Sequence, residues 1–255
     1  MQITGDVERI ERPSAALFKE ASCGFTRPLV VTGVVSEWPS QSMLSPQTIK
    51  SIFGNVVVSV RESDDEFEHF FGAGRKKTIR LGDYVDMICS PELSRERPPF
   101  LGNMPFDHPE ASRYFARLKP LLKFPYYFPT QRFGELRLWL GGPGQRSTIH
   151  NDNYHNLNAQ IYGTKTFLLL APNQYPHLYS EELNETCWAS RVDPEDPDLE
   201  KYPLFGDAEA VEVTLEKGDL IYIPIFWWHQ ATAREVSISV SMFIHDERTL
   251  FWSQG

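Results

Sequence analysis

The first half of the chain switches between short β-like and helix-like patterns, and the second half alternates apolar and polar residues. Leu29-Val30-Val31-Thr32-Gly33-Val34-Val35 is rich in β-branched residues and bounded by Pro28 and Trp38-Pro39, which predicts a strand. Ser45-Pro46 sets a capping hydroxyl and a first-turn proline before an apolar stretch, so a helix is expected through Phe53. Residues 56–60 and 77–80 predict two more strands, and residues 81–89 carry apolar side chains at helical spacing. A further helix is expected over 109–119, and the proline-rich 90–99 stretch reads as an exposed connection.

From Gly134 onward the pattern is β. Residues 135–140 alternate, so Leu136, Leu138 and Leu140 share one face and Arg137 and Trp139 the other. That second face either meets solvent or lines a lumen, where an arginine needs an anionic partner. Gly141-Gly142-Pro143-Gly144 follows as a turn. Runs 156–162 and 165–170, joined at Gly163-Thr164, predict a hairpin. Segment 180–208 is acidic and poorly patterned, and reads as an insertion bordering a site or simply solvated. Strands over 210–215, 219–223 and 236–244 complete the series. The expected fold is a mainly β jelly roll, with an α+β part (1–133) flanking a core (134–246) in a single domain.

Composition narrows the function classes. The 255 residues suit one large domain or two small ones. Asp and Glu outnumber Lys and Arg by 34 to 25, a net charge of −9 that speaks against a nucleic-acid partner but admits a peptide or a small molecule. Cys23, Cys89 and Cys187 are odd in number and lack a C-x-x-C pair, which favours a reducing compartment. No secretory leader or run of about 20 apolar residues is visible, so the expected location is cytoplasmic, without a membrane partner.

The chemistry concentrates in His150-Asn151-Asp152 and in His229, 77 residues beyond Asp152. Two strand residues at i and i+2 share a face, so His150 and Asp152 could reach one ion from one strand. With His229 from a neighbouring strand they make two imidazoles and one carboxylate, a facial triad for Fe(II). Polar residues at a turn give the plainer reading. His155 is a rival ligand, but its odd spacing from both candidates turns it to the other face, at the rim or behind the ligands. Lys165 opens an apolar strand, either as a solvated strand-end lysine or as a fixed cation for a dicarboxylate. Ser147, Thr148 and Asn156 could add hydrogen bonds to such a ligand. Trp227 and Trp228 are expected to wall the site, with packing the role of at least one.

These motifs resemble the JmjC-type cupin oxygenases, closest to their asparaginyl-hydroxylase branch (factor inhibiting HIF and its relatives). The resemblance rests on the H-x-D pair, the run from Ala159 to Lys165, Ala171-Pro172, and Gly218-Asp219-Leu220-Ile221-Tyr222-Ile223-Pro224 leading to Trp227-Trp228-His229. It implies a double-stranded β-helix with Fe(II) on His150, Asp152 and His229, and O₂ as oxidant. It also implies 2-oxoglutarate chelating the iron, its far carboxylate on Lys165 and Ser147, with Asn156, Trp139 and Ser241 about the pocket. Two departures stand out: Ser241 replaces a family Asn, and Phe100 replaces a Tyr. The C-terminal dimerisation helices of some relatives have no counterpart, so a homodimer would use another surface. The implied reaction hydroxylates a C–H of a protein or peptide residue, giving succinate and CO₂, and histone demethylation fits less well. A free small molecule as substrate, or a metal-binding cupin without catalysis, are the alternatives.

Overall fold

The computed structural model describes residues 1–63, 67, 70–71, 75–90, 99–101, 104–105, 116–128, 133–184 and 187–245. The first part supplies β1 (Gln2–Ile3), β2 (Arg9–Glu11), β3 (Leu29–Thr32), β4 (Val57–Glu62), β5 (Arg75–Arg80), β6 (Phe100–Leu101) and β7 (Met104–Pro105). Helices α1 (Ala15–Ala21), α2 (Pro39–Met43), α3 (Pro46–Phe53) and α4 (Leu81–Cys89) lie between them. The second part supplies β8 (Phe133–Gly141), β9 (His150–Asp152), β10 (His155–Tyr162), β11 (Lys165–Leu170), β12 (Ser180–Asn184) and β13 (Cys187–Ser190). It ends with β14 (Glu209–Leu215), β15 (Leu220–Ile223), β16 (Trp228–Ala233) and β17 (Ser237–Ile244).

Two seven-stranded sheets, β1-β14-β11-β16-β9-β13-β12 and β2-β3-β15-β10-β17-β8-β7, enclose a lumen as a double-stranded β-helix. A small β5-β4-β6 sheet joins the N-terminal helices. These helices form because their signals agree. Ser45 Oγ accepts the Thr48 N–H at 3.1 Å, Pro46 begins α3, and Ile49 and Phe53 turn inward. Of the helix expected over 109–119, residues 116–118 are helical and Lys119 begins a 3-10 turn; residues 109–115, and 91–98 of the expected connection, lie outside the described residues. No helix among the described residues is long and apolar enough to cross a membrane.

The hairpin expected at Gly163-Thr164 does not form. Strand β10 pairs with β15 and β17, whereas β11 pairs with β14 and β16. Each strand is buried on both faces, and a corner between sheets lets each find cover on either side. Leu157, Ala159 and Ile161 of β10 pack outward with Phe18, Ile49, Phe53 and Tyr84 from the N-terminal part. Leu168 and Leu170 of β11 pack outward with Leu178, Phe205 and Trp228. Gly163 makes the corner at φ +68°, and a Cβ there would run into the Val236 carbonyl oxygen. Gly163→Ala is therefore expected to cost at least about 2 kcal/mol, read as a lower urea midpoint. An unchanged midpoint would show that the corner relaxes.

Segment 180–208 is likewise more regular than its sequence predicts. Strands β12 and β13 pair with each other, and β13 pairs with β9 through Cys187↔Asp152 and Ala189↔His150. The insertion thus extends the sheet that carries the H-x-D motif. Strands this short leave too few alternations to register as a pattern. Beyond them, Val192, Phe205 and Ala208 cover the outer face of this sheet.

Candidate metal centre

Strand β9 presents His150 and Asp152 on one face, and β16 sets His229 directly opposite His150. One ligand atom from each of the three lies within 4.8 Å of the others, and His229 Nε2 is 3.8 Å from Asp152 Oδ2. The backbone fixes both imidazole tautomers. His150 Nδ1 lies 2.9 Å from the Thr148 carbonyl oxygen and His229 Nδ1 3.0 Å from that of Trp227. A carbonyl only accepts, so each Nδ1 carries a proton and Nε2 is the nitrogen of each ring left to face the cluster. Burial holds His150 well below the usual imidazole range, and the neighbouring His229 adds to this. Burial pushes the Asp152 carboxyl up, opposed by His229 and by Arg137. Two neutral nitrogens and one carboxylate with an open side toward the lumen fit a divalent transition metal.

The turn before β16 delivers His229, and His155 holds that turn. His155 is 2% exposed, so it is not a rim residue. Its Nδ1 accepts the Ile225 N–H at 3.2 Å and lies 2.8 Å from the Tyr222 hydroxyl. Phe226 then turns at φ +63° and donates its N–H to the Asp152 carbonyl at 2.9 Å. Trp227 and Trp228 do not wall the site. Trp228 packs on the outer face of its sheet, and Trp227 donates Nε1–H to the Thr26 carbonyl at 2.9 Å. Phe70 and Phe71 take that place, with ring centroids 5.0 and 5.5 Å from His150. Cys187 also faces the lumen beside Asp152, its thiol pushed up to about 12 by burial and by that carboxylate.

A single cavity of about 420 Å³ takes in the three candidate ligands and also Lys165, Ser147, Asn156, Trp139 and Ser241. These eight residues therefore meet in one place, whereas Thr148, expected beside Ser147, is not among the lining residues. Lys165 lies buried and donates Nζ–H to Ser239 Oγ at 2.8 Å. No carboxylate reaches it among the described residues, and burial lowers its pKa to about 8. A desolvated cation without a counter-ion, opening on a cavity, is a receptor for an anion. Ser147 Oγ accepts the Ala231 N–H at 3.0 Å. Ser241 Oγ accepts Trp139 Nε1–H at 2.9 Å and Asn158 Nδ2–H at 2.8 Å, which directs its own proton elsewhere. Asn156 Oδ1 and Asn158 Oδ1 are buried without a hydrogen-bond partner among the described residues.

Ser239 and Asn158 escaped the sequence reading, although their signal was present. Ser237, Ser239 and Ser241 recur at every second position of β17, and Asn156, Asn158 and Gln160 do so on β10. Register sets Asn158 against Ser241 and Gln160 against Ser239, so two polar stripes share the lumen face. Arg137 is opposite Ser241, which resolves its side as the lumen. Its anionic partner is Glu135, whose Oε2 accepts Nε–H at 2.9 Å and Nη2–H at 2.6 Å. Phe100, where the resemblance expected a Tyr, lines the cavity with a bare ring.

A family model described as a cupin-like domain matches residues 14–249. Jumonji C domain-containing protein 5 of Drosophila melanogaster is 24% identical over 252 residues, covering 93% of this chain and 59% of that protein. Lysine-specific demethylase 8 of Danio rerio is 27% identical over 250 residues, covering 94% of this chain and 58% of that protein. tRNA wybutosine-synthesizing protein 5 of Homo sapiens is 33% identical over 137 residues, covering 54% of this chain and 42% of that protein. The chain spans about half the length of these curated relatives. With its β-helix, its His-Asp-His cluster and a family match over nearly its whole length, the chain belongs to the cupin-like domain family.

Proposed function

We propose that this chain is a single-domain Fe(II)- and 2-oxoglutarate-dependent oxygenase that hydroxylates a C–H bond and releases succinate and CO₂. One observation carries the reading: a buried lysine without a counter-ion among the described residues shares a cavity with two imidazoles and a carboxylate poised for one metal ion. His150, Asp152 and His229 would hold the iron, leaving positions for the 2-oxo acid and for O₂. Iron, once bound, would couple the oxidative decarboxylation of 2-oxoglutarate by O₂ to oxidation of the C–H bond, one oxygen atom going to succinate and one to the product.

The remaining work falls to the chain's own residues. Lys165 and Ser239 bind the far carboxylate, and Ser147 and Asn156 orient the co-substrate from the sides. Phe70 and Phe71 exclude water beside His150. Trp139 and Asn158 hold Ser241 in place. Two of the similar proteins are named as a lysine-specific demethylase and a tRNA wybutosine-synthesizing protein. The acidic net charge of this chain favours a peptide or small-molecule substrate over RNA. Three free cysteines fit a reducing compartment such as the cytoplasm.

The test incubates Fe(II)-loaded protein with 2-oxoglutarate in air, follows succinate by NMR, and examines candidate products by mass. Succinate should form with the native chain and not with His150→Ala, and the product should gain one oxygen. Loss of a methyl group as formaldehyde would make the enzyme a demethylase. No succinate above the metal-free control would overturn the proposal.

A further inference from the structure

Among the described residues two arginines line the cavity besides its buried lysine, and they differ in how fully they are used. Arg146 is tied at both ends, Nη2 to Asp193 and Nη1 to Glu195, each at 2.6 Å. Arg137 is tied along one edge only. Glu135 Oε2 takes both Nε–H and Nη2–H, the side edge of the guanidinium. Phe243 stacks beneath, with Arg137 Cζ 5.0 Å from the ring centroid. The end edge, made by one Nη1 hydrogen and the second Nη2 hydrogen, meets no acceptor among the described residues. A guanidinium held by carboxylate and ring, with its fork open, is preorganised for a second carboxylate. Asp152 and Arg137 line the same cavity.

We propose that Arg137 anchors the substrate by a carboxylate, so that the compound oxidised is a carboxylic acid. The proposal rests on the oxygenase reading and names the substrate class of that site. Lys165 is the deep cation that takes the co-substrate, and Arg137 is the second cation, opposite Ser241. A substrate cation placed there would face a like charge. Glu135 Oε1, unused by Arg137, offers a place for an ammonium group, so a free α-amino acid could engage both members of the pair. An acidic side chain within a peptide would engage Arg137 alone.

The test loads the protein with Zn(II) in place of Fe(II), saturates it with 2-oxoglutarate to fill the Lys165 site, and titrates probes by calorimetry. One set is the twenty free amino acids, each beside its α-carboxamide. The other is end-capped peptides with a central Asp or Glu, beside their Asn or Gln counterparts. An acid should bind at least about tenfold more tightly than its amide, and Arg137→Gln should remove about ten- to a hundredfold of that affinity. Arg137→Lys, which keeps the charge without the fork, should fall between. Preference within the first set makes the substrate a free acid, and within the second an acidic residue. Acid and amide binding equally, affinity unchanged in Arg137→Gln, or no acid binding in either set would each overturn the proposal. If 2-oxoglutarate itself fails to bind the metal-loaded protein, the oxygenase reading has failed instead.

Discussion

Replacing His229 with Ala should lower Fe(II) affinity and turnover by more than about 100-fold, beyond what is lost when only a supporting residue is removed. The substitution takes away one of three donors whose ligand atoms lie within 4.8 Å of one another. It leaves Asp152 and His150, a pair too few to hold the ion against water. Fold stability should hardly change. In the metal-free protein the His229 ring donates one hydrogen bond, to the Trp227 carbonyl, so the loss should be about 1 kcal/mol. Competition with a chromogenic chelator measures the first quantity and urea unfolding the second. Native-like iron affinity in the variant would remove His229 from the ligand set.

Lys165→Met should act in two opposite directions. Its pKa falls from 10.5 to about 8 through burial, a shift worth about 3 kcal/mol at 1.36 kcal/mol per unit. Below about pH 8 the folded and unfolded states both carry the proton, and the folded state carries it at a cost. Between about pH 8 and 10.5 the folded state has released the proton while the unfolded chain still holds it. The native protein should therefore gain stability as pH rises through that window. The methionine variant fills similar volume without the charge, so it should be more stable at pH 7 and lack that rise. It should also need about 100-fold more 2-oxoglutarate, because the charge-assisted contact to the far carboxylate is gone. Saturating 2-oxoglutarate should raise the Tm of the native protein and leave that of the variant nearly unmoved. A variant that loses stability while keeping its co-substrate affinity would make Lys165 a structural residue.

The ligand cluster was legible because strand geometry is written into residue spacing. His150 and Asp152 are two apart, and His229 lies in a β-run beside them. The same parity also excludes Trp228: a strand that turns His229 inward turns its neighbour outward, and that inference was available from sequence. The corner at Gly163 was not. A two-residue connection looks alike locally whether its strands pair or part, and only the pairing of β10 with β17 and of β11 with β16 decides. The stripes Asn156-Asn158-Gln160 and Ser237-Ser239-Ser241 show alternation, yet alternation does not tell a wet surface from a polar lumen. Phe70 and Phe71 sit among acidic residues without periodicity, so nothing local marked them as the wall beside His150.

One cavity is proposed to hold both a metal ion on His150, Asp152 and His229 and a dicarboxylate on Lys165. The most direct test of this claim adds 2-oxoglutarate to Fe(II)-loaded protein without oxygen and looks for the weak visible charge-transfer band of the chelate. The band should appear with the native chain, vanish in His150→Ala, and require far more 2-oxoglutarate in Lys165→Met. Tight stoichiometric iron without any band would contradict the claim and leave a metal-binding cupin that does not take 2-oxoglutarate.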